Sequence, residues 1–165
     1  YLACMIDGGE DPLFIARRLI ILASEDVGNA DPNALLLANA CYQSVHAIGM
    51  PEGQIVLGQT TTYLACAPKS NASYIALKSA LDDVRNGPRA TIPMHIRNAP
   101  TSLMAEHGYG DGYQYPHDSP DGFVETTYLP EQLKNKIYYQ PKEIGVESKI
   151  LARLKKWWRH YTQDA

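Results

Sequence analysis

Apolar residues recur at helical spacing through the first half of the chain, and helix starts and stops punctuate them. "YLACMIDGG" reads as the last turns of a helix closed by Gly8-Gly9. Asp11-Pro12 opens a second helix, a capping side chain followed by proline at the first helical position. Ile15, Leu19, Leu22 and Ala23 share one face of it; it runs to about Asp26, and Gly28 follows. Asp31-Pro32 repeats the start signal, and Leu37, Cys41, Val45 and Ile48 form the next stripe, stopped by Gly49. Pro51-Glu52 starts a fourth helix that reaches about Ala67 before Pro68. Ser70 can cap a fifth through about Asn86, with Leu77, Leu81 and Val84 facing one way, until Gly87-Pro88 breaks the pattern.

A short sixth helix is expected from about Pro100 to His107, closed by Gly108, with Asn98 as its cap. A final helix should run from about Val146 to Tyr161, with Ile150, Leu154, Trp157 and Tyr161 on its apolar face. No window sustains the alternation of β-branched residues that a strand requires. The predicted class is therefore all-α. Helices joined by short turns pack as antiparallel or orthogonal neighbours in a bundle.

Residues 108–145 differ in kind. Six of the eleven tyrosines fall here, with Pro116, Pro120, Pro130 and Pro141. Dense aromatics argue against disorder. The expectation is an ordered, irregular segment laid over the bundle, with one helical turn from Pro130 to about Asn135.

The chain has 165 residues, 45% hydrophobic and 20% charged, the balance of a soluble globular protein with room for a core. A net charge of -3 argues against the whole chain being a basic nucleic-acid binder. Charge is uneven, however. Residues 1–60 carry seven acids against two bases, and residues 131–165 carry four acids against eight bases. The basic end includes Lys149, Arg153, Lys155, Lys156 and Arg159, which suit phosphate contact, head-to-tail packing or simple solvation. No apolar run is long enough to span a bilayer, and no signal peptide is visible. Cys4, Cys41 and Cys66 sit among apolar helical residues and read as buried, reduced thiols.

Two stretches concentrate chemistry. "HGYGDGYQYPHD", His107–Asp118, combines glycines, tyrosines, histidines and aspartates. His95, His107, Asp111, His117, Asp118 and Asp121 could be imagined around a metal, but no thiol is near and the carboxylates occupy turn positions. The better account has Tyr109, Tyr113 and Tyr115 anchoring a glycine-permitted loop, with hydroxyls bonding backbone, and His117 and Asp118 starting the next turn. "IPMHIRNAPT", Ile92–Thr101, offers Arg97 for a carboxylate, a phosphate, a neighbouring subunit or a partner within the fold. Cys41 and His46 lie five apart on one helix, so they diverge and make a poor nucleophile pair. The phosphate-binding, dinucleotide-binding, zinc-protease, redox and nucleophile-elbow motifs are all missing from the sequence.

"GGEDPLFIARRLIILASEDVGNADP" (Gly8–Pro32), "PEGQIVLGQTTTYLACAPKSNASY" (Pro51–Tyr74), "PMHIRNAPT" (Pro93–Thr101) and "HGYGDGYQYPHD" occur in order. Together they resemble the C-terminal region of the replication-associated recombination protein A family, also called MgsA, whose eukaryotic relative is the Werner-helicase-interacting ATPase. The resemblance covers essentially the whole chain. It implies an orthogonal helical bundle like the C-terminal collar of clamp-loader subunits, which holds a homotetramer together. It also implies a parent that is a DNA-dependent AAA+ ATPase at stalled or damaged replication forks. That parent would be associated with single-stranded-DNA-binding protein, cytoplasmic and nucleoid-associated in a bacterium, and not in a membrane. ATP and magnesium would bind upstream of Tyr1, where this chain is expected to have been cut from a longer protein. No nucleotide-site motif of the family maps onto these residues, so no catalytic, cofactor or metal residue is carried over, and this part alone is not expected to be an enzyme. Pro116 stands where some members have alanine.

The resulting map is one domain, 1–165: residues 1–8 the remnant of a linker or lid helix, 9–107 the bundle, 108–145 the irregular overlay and 146–162 the last helix. Leu35-Leu36-Leu37 and Ile20-Ile21-Leu22 put apolar groups on more than one helix face, as a self-association surface needs. The alternative is a nucleic-acid or protein-interaction module using Arg97, Lys149, Arg153, Lys155, Lys156 and Arg159, with Trp157 core-facing and Trp158 at an edge. A free-standing hydrolase using the His/Asp loop is the third reading.

Overall fold

A computed structural model describes residues 1–87 and 89–162. Among them the secondary structure is wholly helical: α1 (Leu2–Asp7), α2 (Pro12–Leu22), α3 (Asn33–Ile48), α4 (Gly53–Cys66), α5 (Ala72–Asn86), α6 (Ser102–Glu106) and α7 (Glu147–Trp157). The protein is all-α, as its periodicity predicts. Pro88, half of the expected break after α5, lies outside the described residues.

The chain divides into two compact units. The first holds Tyr1–Leu77 and Tyr139–Arg153; the second holds Lys78–Tyr138 and the residues from Leu154 on. The expected boundaries at 9–107 and 108–145 therefore shift. The division falls inside α5, and the end of the irregular segment returns to the first unit. The reason is burial: α5 buries only Ala72, so its later turns add nothing to the first core.

In the first unit α2, α3 and α4 pack on one another, and α1 packs against α4. The Asp11 side chain accepts from the Leu13 and Phe14 amides and so starts α2, as the Asp-Pro signal requires. Asp31 accepts from the Asn33 amide at 3.2 Å before α3. Beyond Leu22 the helical path continues as a π turn, Ala23–Val27, and ends at Gly28. The core joins Ile15, Leu19, Val27, Leu57 and Leu64 to the small residues Ala16, Ala34 and Ala38. Those alanines let helix backbones approach closely. They also change the α3 stripe, whose buried face is Ala34, Ala38, Cys41 and Val45, while Ile48 is exposed. On α5 the expected inward face, Leu77, Leu81 and Val84, is exposed throughout. Helical spacing identifies residues that share a face but not what lies opposite them. Cys41 is buried, and burial pushes its thiol pKa up; Cys4 and Cys66, expected to be buried, are exposed.

A polar network closes the first unit. The Asn29 amide donates to the Ser73 hydroxyl and to Tyr139 Oη, each at 3.1 Å. Tyr139 donates to Glu147 Oε1 at 2.9 Å, and Glu147 Oε2 accepts the Lys142 amide at 3.0 Å. Glu147 is fully buried. Burial is the main cause of the raised Tyr139 pKa. Lys142 Nζ donates to Asn71 Oδ1 at 2.9 Å. The returning 139–147 segment is thereby tied to the ends of the first helices.

The second unit has short 3-10 turns at Met94–Ile96, Pro116–Asp118, Glu131–Leu133 and Arg159–Tyr161. The turn at 131–133 falls within the predicted span. Phe123 stacks on Trp157 with centroids 5.5 Å apart and meets Trp158 edge-on at 5.1 Å. Both tryptophans are half-buried, so the expected contrast between an inward Trp157 and a peripheral Trp158 does not hold; one phenylalanine ring serves both.

Asp83 accepts from Lys136 and from Tyr138 Oη, each at 2.9 Å. These bonds, that from Lys136 first, hold its carboxyl below the usual aspartate pKa. A depressed folded-state pKa stabilises above the unfolded value of about 3.9, and the contribution disappears as pH falls through the folded value. Urea unfolding between pH 6 and 3 should therefore show an acid-side loss of stability that Asp83→Asn diminishes. Unchanged pH profiles for the two proteins would show that this tie carries none of the acid sensitivity.

Candidate nucleic-acid or partner interface

The two chemistry-rich stretches meet. α6 is capped by Thr101, whose Oγ1 accepts from the Met104 amide at 3.3 Å, not by Asn98. Pro100 disfavours helical backbone at Ala99, so the helix starts later and leaves Asn98 outside its cap. Gly108, at φ +78°, closes α6 and turns the chain back. The Gly110 amide then donates to the Met94 carbonyl at 2.9 Å, which lays the glycine loop on the Met94–Ile96 turn.

Arg97 sits at this junction, half-buried. Its Nε donates to the Ile92 carbonyl at 2.8 Å, and its guanidinium lies 5.3 Å from the Tyr109 ring centroid. Beside it opens a cavity of about 460 Å³ walled by His95, Arg97, Asn98, Gly110, Tyr113 and Tyr128. Among the described residues no carboxylate lines it. His95 faces Tyr128 at 6.4 Å between ring centroids. Its Nε2 is shielded from solvent and has no hydrogen-bond partner among the described residues.

The loop tyrosines behave differently from one another. Tyr109 is half-buried beside Arg97, but Tyr113 is 49% exposed and Tyr115 is 53% exposed, so these two are not buried anchors. Glycine φ angles and the backbone bond to Met94 hold the loop in their place. His117 and Asp118 are exposed in the turn that begins at Pro116, with the Tyr115 and His117 rings 5.1 Å apart. Among the described residues no three His, Cys, Asp or Glu side chains gather where they could hold a metal ion. Cys41 is buried while His46 is exposed and stacks on Tyr42, so the two do not meet.

The basic residues of the last helix are exposed. Lys149, Arg153 and Lys156 fall at helical spacing on one face of α7, and Lys155 flanks them. Arg159 lies beyond the helix and is committed to Glu125, through Nε at 3.1 Å and its amide at 3.0 Å.

Sequence reasoning singled out Arg97 and the glycine-tyrosine loop but did not join them, and it missed Tyr128 and Glu147. A signal for the first existed. A five-residue helix closed by glycine places its two flanks side by side. Tyr128, in "VETTYLP", carried no comparable signal.

These features define an all-helical domain with an aromatic, arginine-bearing cavity in its loop-rich unit. Residues 1–158 match the family described as MgsA AAA+ ATPase C terminal, and the chain belongs to that family. It is 50% identical over 158 residues to an uncharacterised protein of Thermotoga maritima, covering 96% of this chain and 26% of that protein. It is 46% identical over 153 residues to replication-associated recombination protein A of Escherichia coli K12, covering 92% of this chain and 34% of that one. It is 44% identical over 142 residues to the ATPase WRNIP1 of Dictyostelium discoideum, covering 84% of this chain and 16% of that protein. The chain thus spans about a quarter to a third of the length of these bacterial relatives. No helix among the described residues is long and apolar enough to cross a membrane.

Proposed function

We propose that this chain is the self-assembly domain of a DNA-dependent AAA+ ATPase that acts at stalled or damaged replication forks in replication, recombination and repair. In that reading the parent binds ATP and magnesium in a separate AAA+ domain. It forms a homotetramer through the helical bundle and works with fork DNA and single-stranded-DNA-binding protein in the bacterial cytoplasm, at the nucleoid. Family membership and the names of the relatives support the setting. One observation carries the assembly role: large apolar side chains lie on the outer faces of packed helices, with Leu36 69% exposed on α3 and Ile55 71% exposed on α4. Leu35, Phe14 and Ile21 add to them. Single apolar residues are ordinary on a surface, but several large ones exposed on three mutually packed helices, α2, α3 and α4, favour burial against another copy.

Sedimentation velocity at tens of micromolar should find a tetramer. The double variant Leu36→Asp, Ile55→Asp should sediment as a smaller species while keeping its helical circular dichroism. A wild-type chain that stays monomeric at every concentration would sink the assembly role and favour a helical nucleic-acid or protein-interaction module instead. The exposed bases of α7 would then be its first contact candidates.

A further inference from the structure

We propose that the cavity beside Arg97 seats one unstacked nucleotide of a single-stranded nucleic acid, with its phosphate on the Arg97 guanidinium and its base against the Tyr113 and Tyr128 rings. The cavity, at about 460 Å³, has the size of a small-ligand site. Arg97 is held from one side only. Its Nε is fixed by the Ile92 carbonyl and one face rests near Tyr109, while no bond to its two terminal amino groups occurs among the described residues. A planar fork fixed in this way is preorganised for a phosphate, and among the described residues no carboxylate on the cavity wall competes for it.

The remaining groups select a nucleotide over a bare carboxylate. Tyr113 and Tyr128 are both exposed on the wall and offer rings on which any base can stack. Asn98 presents an amide with a donor and an acceptor, which matches a base edge; a carboxylate would leave the donor half alone useful. Gly110 brings the loop backbone close to Arg97: a Cβ there would lie 3.4 Å from the Arg97 carbonyl oxygen. Every element of this site belongs to the second unit, so the proposal does not depend on assembly through the first.

A fluorescein-labelled oligothymidylate, titrated with the whole chain and followed by anisotropy, tests it. Tyr113→Ala should weaken binding by about 5- to 150-fold, the range for loss of one base–aromatic stack, while Tyr113→Phe binds like wild type. Tyr113 is half exposed, so its truncation leaves the melting temperature in place; this matters because Arg97→Ala would also release the Ile92 carbonyl. The amide resonances of His95 and Gly110 should shift on adding the oligonucleotide. Three results would each overturn the proposal: no binding by wild type, equal binding by Tyr113→Ala, or an oligoglutamate peptide shifting those resonances while oligothymidylate leaves them unmoved. The last would make this a peptide site.

Discussion

Glu147→Ala is expected to lower the unfolding free energy by about 2–5 kcal/mol, the sum of two part-buried hydrogen bonds lost and the buried space vacated. The side chain is fully buried, and each carboxyl oxygen has its own donor, Tyr139 Oη at 2.9 Å and the Lys142 amide at 3.0 Å. Alanine removes this acceptor from both donors. Tyr139 in turn orients the Asn29 amide, so the loss spreads to the loop after the π turn. Against a total stability of about 5–15 kcal/mol, that is a large share. Glu147→Gln keeps the shape and one acceptor oxygen, and should cost about 1 kcal/mol. Tyr139→Phe should fall between the two. Urea denaturation midpoints at constant m-value would rank the three. If Glu147→Ala unfolded at the wild-type midpoint, the 139–147 segment would have to be held by other contacts.

That network also marks where sequence reading stops. The helices were legible because their signals are local: Asp11-Pro12 and Asp31-Pro32 write a cap beside a fixed φ, and Gly28, Gly49 and Gly108 take positive φ at or beside the stops. The family was legible for another reason, four long blocks in order. Which apolar face is buried was less so. Cys41 and Val45 are core, but the companions that complete their stripe are Ala34 and Ala38, which look neutral in sequence beside Leu35, Leu36 and Leu37. Small residues win the interior where backbones approach, and the larger ones remain outside. Glu147 gave no sign at all, since a glutamate opening a helix normally reads as a solvated first-turn acid. Its role depends on Tyr139 and Asn29, and Asn29 is far away in sequence. The candidate site lay between these extremes: Arg97 and the glycine loop were conspicuous, but their meeting required the turn of α6 and the bond from Gly110 to Met94.

The same return of chain makes Gly145→Ala the second large effect. Gly145 has φ +55°, and a Cβ there would run into the Ala30 carbonyl oxygen and lie 3.0 Å from Pro68 Cγ. That carbonyl cannot move aside freely, because it accepts the Val146 amide at 2.8 Å. Two costs therefore add. The left-handed backbone costs an alanine about 1–2 kcal/mol, and the forced displacement costs about 1–3 kcal/mol more. Gly9 separates them. It has φ +76° in the same unit with nothing among the described residues within 4 Å of its added Cβ, so Gly9→Ala incurs the conformational cost alone. Gly145→Ala should therefore unfold at clearly lower urea than Gly9→Ala, and the gap between them measures the collision with Ala30. Equal midpoints would mean that the 139–147 segment lifts off the Ala30 carbonyl without loss, and then the Glu147 network could not be what secures it.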